Sequence, residues 1–400
     1  IVKTNTISEV TSANGVTVDG LNIKDSKLVT ANSVVEANIT NGAVTSGKIA
    51  SGVVPTLRPN AKPLVVNSNM AIAQRNSGTV AQSDGSNEGY ATVDRMNLVF
   101  GNSAGGTITT SRDNTAPTGF GQSMKFDVTS ADGSVASNQI VYMKTTLEAQ
   151  DIRNSGWNYT SSSSYLTLSF WVRSSKTGIY CAFLETLDAS YMRSSEYTIS
   201  SADTWEQKVL TFPGKTELVF NNDNGAGLNI GFTFAVGTDR DGTNNTWETT
   251  NYGTSNQVNF LDSTSNILYL TGIQLEVGEF SSTNLPPFQH ESYGDNLLRC
   301  QRYYQLVQNW SGGVVNSSTA YINATFWKTM RTTPSVTTTG ALNGNDIANN
   351  VNQSSGQVTL HGANENGFWG GIGNFSSLTT NNPFNSRFQN TNKLAFDSEL

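Results

Sequence analysis

The chain has 400 residues, a formal net charge of -7, only 14% charged residues, 36 glycines and abundant Ser, Thr and Asn. That length holds two or three domains, each able to bury a core. The composition excludes a helical enzyme rich in Lys, Glu, Ala and Leu, and suits short strands joined by turns. No run of Lys or Arg exceeds two adjacent residues, so nucleic-acid binding is excluded. No apolar run approaches the roughly 20 residues that a membrane helix needs, and no membrane insertion is expected.

The chain begins at Ile1 and not Met, which reads as a fragment or a processed product. Residues 1–57 contain no aromatic side chain. Short β-type stretches such as Val16-Thr17-Val18 and Leu21-Asn22-Ile23 come first, and then Val29, Val34, Ile39, Val44, Ile49 and Val54 recur every fifth residue. One β-branched residue in five cannot bury a core within one chain, so this segment must stack on copies of itself, on its own next turn or on a partner. A homotrimeric shaft is the favoured solution. A pentapeptide solenoid competes, but wants small or apolar residues at 27, 32, 37, 42, 47 and 52, which is only partly met. Pro55, Pro59 and Pro63 mark 55–64 as a linker.

From about 65 to 290 the pattern is all-β. Tyr165 to Arg173 alternates, with Leu166, Leu168, Phe170 and Val172 on one face. Strands are also predicted at 178–184, 205–212, 228–236 and 267–277, separated by turn-formers such as Asn221-Asn222-Asp223-Asn224-Gly225. Many strands with one buried face and long loops predict a jelly-roll-like β-sandwich. Leu297, Leu298, Cys300, Tyr303, Tyr304 and Val307 fall at helical spacing, so 293–309 reads as a short helix or connector. β signals return to residue 400. The expected organisation is therefore all-β: a thin repetitive segment at 1–57, a sandwich at 58–295, and a connector with a smaller β tip domain at 296–400.

The chemistry-bearing residues are few. With only His290 and His361 present, composition nearly excludes a His-based triad or multi-His metal site, and no catalytic residue, metal or cofactor is expected. Asp188, Glu196, Asp203, Glu206, Asp239 and Asp241 could pair as glycosidase carboxylates, but no pattern forces two into one cleft. The stretch from Asp239 to Asn245 has calcium-loop oxygens yet reads better as an Asp/Asn turn. Cys181 and Cys300 follow no metal or redox spacing and are expected as buried free thiols. Aromatic rings in polar loops are more informative, because sugar rings stack an apolar face on Trp or Tyr while Asn, Asp and Gln bind their hydroxyls. The candidate ligand-binding residues are Trp157 and Tyr159, Trp247 and Tyr252, and Trp369 among glycines. Trp171 and Trp205 are expected in the core.

Several stretches occur together in an order that resembles phage tail-fibre and related virion-fibre proteins. Asn67-Ser68-Asn69-Met70-Ala71-Ile72-Ala73-Gln74-Arg75 and Tyr90-Ala91-Thr92-Val93-Asp94-Arg95 resemble the opening of a domain common in phage tail proteins. Leu270-Thr271-Gly272-Ile273-Gln274-Leu275-Glu276-Val277-Gly278 closes it, followed by Phe288-Gln289-His290-Glu291-Ser292-Tyr293-Gly294 and Cys300-Gln301-Arg302-Tyr303-Tyr304. The stretches 6–28, 326–334 and 396–400 are similar to other parts of the same proteins. The resemblance covers nearly the whole chain and implies a virion structural protein made in the host bacterial cytoplasm. It implies a homotrimer bound to other tail or capsid proteins through the N-terminal segment. It also implies a carbohydrate-binding-type sandwich that meets a host surface glycan, and it supplies no catalytic residues. The expectation is host attachment by a non-enzymatic fibre. The alternatives are a fibre or capsid decoration without a ligand, a polysaccharide depolymerase, and a bacterial adhesin or secreted carbohydrate-binding module.

Overall fold

A computed structural model of the chain describes residues 16–18, 21–24, 27–28, 62–347, 349–386 and 392–400. The chain forms two compact units, 1–57 and 58–400. In the first, β1 (Val16–Val18), β2 (Leu21–Lys24) and β3 (Lys27–Leu28) form a small antiparallel sheet in that order. The pentads from Val29 onward, the shaft expected there and the linker up to residue 61 lie outside the described residues.

The second unit opens with a β-sandwich. Its strands are β4 (Thr79–Gln82), β5 (Gly89–Tyr90), β6 (Asn97–Gly101), β7 (Thr107–Asp113), β8 (Ser123–Ser130), β9 (Ile140–Glu148), β10 (Tyr165–Ser174), β11 (Gly178–Thr186), β12 (Tyr191–Ile199), β13 (Glu206–Pro213), β14 (Ala226–Val236) and β15 (Ile267–Val277), with helix α1 (Ala149–Arg153) after β9. They make two six-stranded antiparallel sheets, ordered β13-β10-β15-β8-β7-β4 and β12-β11-β14-β9-β6-β5. The predicted inward face of β10 holds: Leu166, Leu168, Phe170 and Val172 are fully buried. From the facing sheet, Phe232 meets Phe170 edge-on with ring centroids 4.8 Å apart. Each such side chain contributes about 1.5–3 kcal/mol by leaving water.

The sheet containing β11 is covered on both faces. Its outer side carries Ile140, Tyr142, Phe183 and Met192, with Tyr252 of the 239–256 loop packed over them. This double burial explains why β11 reads as a continuous apolar run and does not alternate. Between Ser169 and Trp171, β10 slips register against β15. Gly272 sits at that bulge with φ +64, and a Cβ there would stand 2.8 Å from the Phe120 ring. The Thr271-Gly272-Ile273 motif thus has a backbone reason.

The two strand tryptophans depart from expectation. Trp171 lies opposite the inward face of β10 and is half-buried. Trp205 precedes β13 and is half-buried against Tyr269 at 6.3 Å. Neither belongs to the core.

Helix α2 (Tyr293–Cys300) begins at Ser292, whose side chain accepts a hydrogen bond from the Asp295 backbone amide. It is shorter than the spacing suggested, because Tyr304 and Val307 belong to a strand. β16 (Tyr304–Val307) pairs with β25 (Leu394–Asp397). The strands between are β17 (Ser311–Asn316), β18 (Thr319–Thr325), β19 (Ser335–Thr338), β20 (Asn343–Asp346), β21 (Asn349–Asn352), β22 (Val358–Asn364), β23 (Gly367–Ile372) and β24 (Pro383–Ser386). A three-stranded sheet, β16-β25-β19, and a seven-stranded sheet, β21-β20-β24-β17-β18-β23-β22, share a second core around Trp310, Ile322, Phe368, Phe384 and Phe396.

Candidate functional site

The sandwich-loop aromatics are committed to packing. Trp157 is 3% exposed and its indole Nε1 donates to the Ser164 carbonyl at 3.2 Å. Tyr159 stands edge-on to Phe220 at 5.1 Å. The half-buried Trp247 donates its Nε1 to the Pro213 carbonyl at 2.9 Å. Tyr252 lies in a separate cluster, 5.3 Å from Tyr142 and 5.2 Å from Phe183, and burial raises its phenol pKa. The structure brings Trp157 and Tyr159 together, at 6.1 Å, but not all four to one surface.

Trp369 is different: it is 46% exposed. It lies on the outer face of the seven-stranded sheet, where β18 alternates Ala320, Ile322 and Ala324 inward with Tyr321, Asn323 and Thr325 outward. Tyr321 is 5.9 Å from Trp369 and 4.8 Å from His361, and His361 is 4.9 Å from Trp369. Gly371, paired with Tyr321 across β18 and β23, leaves the room these rings occupy. A Cβ there would stand 3.3 Å from His361 Nε2 and 3.5 Å from the Tyr321 ring.

Register extends this cluster into a row. Trp369 pairs with Asn323, Asn323 with Ser311, Ser311 with Asn385 and Asn385 with Asn345, all of them exposed. Neighbouring strands lie about 4.8 Å apart, so the row runs for about 19 Å perpendicular to the strands. It offers an aromatic ring at one end, followed by amides and a hydroxyl. Tyr321 and the amide row were not singled out from the sequence. Their signal, polar residues at alternate positions of β18, is faint among so many Asn and Thr.

Four of the stretches that carry the fibre resemblance, 67–75, 90–95, 300–304 and 396–400, meet at the junction between the sandwich and the C-terminal domain. Arg95, 1% exposed, lies with its guanidinium 3.5 Å from the Tyr303 ring centroid and is ion-paired with Glu399. Glu399 also pairs with Arg75 at 3.2 Å, and Arg75 with Asp397 at 2.8 Å. Glu148 accepts hydrogen bonds from Arg302 at 2.6 and 2.8 Å and from the Tyr303 hydroxyl at 2.7 Å. Burial works to raise the Glu148 pKa, but these bonds outweigh it and hold the carboxyl below its ordinary value. Burial raises Asp94 to about 6, against hydrogen bonds from Gln74. Asn67, at φ 57, takes its backbone N–H to Asn296 Oδ1 and its side chain to Ile72 and Asp94 carbonyls. Each of these side chains is held by another part of the chain, with Arg95 Nε the exception that has no hydrogen-bond partner among the described residues, and the arrangement locks two cores together.

Most of the acidic residues weighed as glycosidase candidates also hold structural partners. Asp188 accepts from the Asn221 backbone, Glu196 from Thr254, Glu206 from Ser200 and Ser201, and Asp239 from Ser137, while Asp203 pairs with Arg173. Among the described residues, no group of three or more His, Cys, Asp and Glu side chains is placed to hold a metal ion. Cys181 and Cys300 are free and buried, as expected. Burial pushes the Cys181 thiol up to about 11.

No protein family and no curated protein matches the chain. Solved structures similar to it include a putative sugar-binding protein from Bacteroides thetaiotaomicron, 10% identical, with a TM-score of 0.30 over 54% of this chain and 100% of that one. A family 11 carbohydrate-binding module from Clostridium thermocellum, in complex with a mixed-linked tetrasaccharide, is 12% identical with a TM-score of 0.27 over 52% and 99%. The enzymatically active domain of bacteriophage CBA120 tailspike protein 4 is 13% identical with a TM-score of 0.24, covering 46% of this chain and 19% of that one. Neighbours of this kind thus include carbohydrate-binding modules and a phage tailspike, at a similarity that carries no argument about activity.

Proposed function

We propose that this chain is a non-enzymatic component of a phage particle that attaches to the host surface by holding polysaccharide on the outer face of its C-terminal sheet. The observation that carries the binding role is the exposed trio of Tyr321, His361 and Trp369, continued by the amide row. A pyranose ring lays its C–H face on an aromatic ring and turns its hydroxyls to neighbouring amides. The site sequence reasoning favoured, in the sandwich loops, has its aromatic rings tied into packing, which moves the proposal to the C-terminal domain. The virion role is supported by the motif resemblance and by the pentads, which suit a trimeric attachment segment joined to other particle proteins. Three linked copies would turn individually weak glycan sites into firm attachment.

The test is a printed array of bacterial surface polysaccharides probed with the full chain and with Trp369→Ala. Light scattering on the same sample is expected to give a mass near three times 43.0 kDa. Glycan binding that Trp369→Ala abolishes supports the proposal. A full chain that binds no glycan favours a purely structural fibre, and release of reducing sugar identifies a depolymerase.

A further inference from the structure

A second feature adjoins the aromatic trio. Where β17, β18 and β24 end beside residues 307–310, a groove of about 680 Å³ is lined by Trp310, Phe326 and Trp327 together with Asn309, Asn323 and Asn385. Trp327 is 62% exposed. Trp310 is only 4% exposed, yet its indole N–H has no hydrogen-bond partner among the described residues. A buried N–H left unpaired is costly and rare in a folded chain, and an oxygen-bearing ligand would satisfy it. Asn323 and Asn385 belong both to this groove and to the row that leads to Trp369. Among the described residues that line the groove, none is charged.

We infer that the groove at Trp310 and Trp327 is a further saccharide subsite, continuous with the Trp369 platform through Asn323, and that the two together hold several consecutive units of an uncharged polysaccharide. This rests on the glycan reading of the same sheet and sharpens it. The strand spacing along the row, about 4.8 Å, is close to the length of one pyranose unit, so a chain lying across the strands meets one side chain per sugar. The Trp369 ring at one end of the row and the Trp327 ring in the groove alongside Asn323 and Asn385 supply stacking, and the amides of the row supply donors and acceptors that suit hydroxyl and acetamido groups. An acidic polymer would find no cation among the described lining residues to repay its desolvation.

The test is titration of the full chain with neutral polymers (dextran, mannan, galactan and an acetamido-bearing glucan) and with acidic ones (alginate and polygalacturonate), at low and high salt. Trp327→Ala, Asn385→Ala and Trp369→Ala are compared, with thermal unfolding as the control for folding. The expected result is binding to a neutral polymer, insensitive to salt and stronger for longer oligosaccharides than for a disaccharide. Trp327→Ala is expected to weaken it by about tenfold with unchanged unfolding. If Trp327→Ala and Asn385→Ala bind as the parent does while Trp369→Ala loses binding, the groove is not a subsite and the platform reading survives. Binding confined to acidic polymers and lost at high salt overturns the uncharged class. A chain that binds none of the polymers removes both readings.

Discussion

Replacing Glu399 by Gln tests whether the buried ion network couples the two cores of the second unit. The Glu399 carboxylate lies between Arg95 and Arg75, and Arg95 is 1% exposed with its guanidinium 3.5 Å from the Tyr303 ring centroid. Burial, the largest single influence, would lower the Arg95 pKa, but Glu399 together with Tyr303, Tyr90 and Cys300 outweighs it and holds the value above the ordinary one. Gln keeps one oxygen as an acceptor and removes the charge, so Arg95 is left buried without its closest counter-ion. Breaking a buried pair by removing one partner costs about 3–5 kcal/mol. The retained acceptor places Glu399→Gln near the lower end of that range. Urea unfolding followed by tryptophan fluorescence measures it. A cycle with Arg95→Met adds a second reading: the double variant is expected to lose much less than the two singles added together, because removing both charges removes the desolvation cost as well. A loss below about 1 kcal/mol for Glu399→Gln, within the range of exposed pairs, with additive singles, would refute the coupling.

Three further outcomes follow from the packing and burial of other residues. Trp157→Ala should cost about 3–5 kcal/mol of stability, as large core deletions do, whereas Trp369→Ala should stay within about 0.5 kcal/mol; thermal melts of the pair separate core from surface. Asp94 has a folded pKa of about 6 against an ordinary 3.8, so the folded state holds the proton more tightly. Its contribution is fully present below about pH 4, is lost as pH rises through about 6 and amounts to roughly 3 kcal/mol; Asp94→Asn should remove that slope from a stability–pH profile, and a profile unchanged by the substitution would contradict the assignment. Cys181 and Cys300 are buried, with thiol pKa values raised by burial, so an aromatic disulfide reagent should label neither in native protein and both after unfolding.

The sandwich was legible where the two faces of a strand differ in chemistry. In β10, Leu166, Leu168, Phe170 and Val172 meet the opposite sheet, while Thr167 and Ser169 on the other face are buried but polar and bonded to Gly278 and Gln274, and that alternation survives translation into sequence. In the seven-stranded sheet the signal fails. β17 contains Gly312 and Gly313, and β20 is Asn343-Gly344-Asn345-Asp346. Gly344 faces inward because the Phe384 ring fills its side-chain space, 2.1 Å from where a Cβ would stand. Such strands use glycine where a neighbour's side chain packs and bury few apolar side chains of their own, so hydropathy reveals them poorly. Helix α2 was overextended because Tyr303, Tyr304 and Val307 keep helical spacing by coincidence, while pairing with β25 draws Tyr304 and Val307 into β16.

The candidate site was legible at one residue. Trp157, Tyr159, Trp247, Tyr252 and Trp369 all sit in polar surroundings in sequence, and composition cannot tell a ring that faces solvent from one folded back on its own core. The Phe326-Trp327 pair did hold information. Phe326 and Trp327 follow directly on β18, whose residues alternate between inward and outward, and they continue that alternation, Phe326 buried and Trp327 exposed. Of the stretches behind the fibre resemblance, 67–75, 90–95, 300–304 and 396–400 meet at the Arg75, Arg95, Glu148 and Glu399 junction, where they fix architecture.

Hydrogen exchange of the full chain, with and without the polysaccharide it binds most tightly on the array, tests the central claim most directly. The account predicts new protection confined to β17, β18, β23 and β24 and the neighbouring groove segment 307–310, with the loops bearing Trp157 and Trp247 unchanged. Protection confined to those sandwich loops, with the C-terminal sheet unchanged, would contradict it.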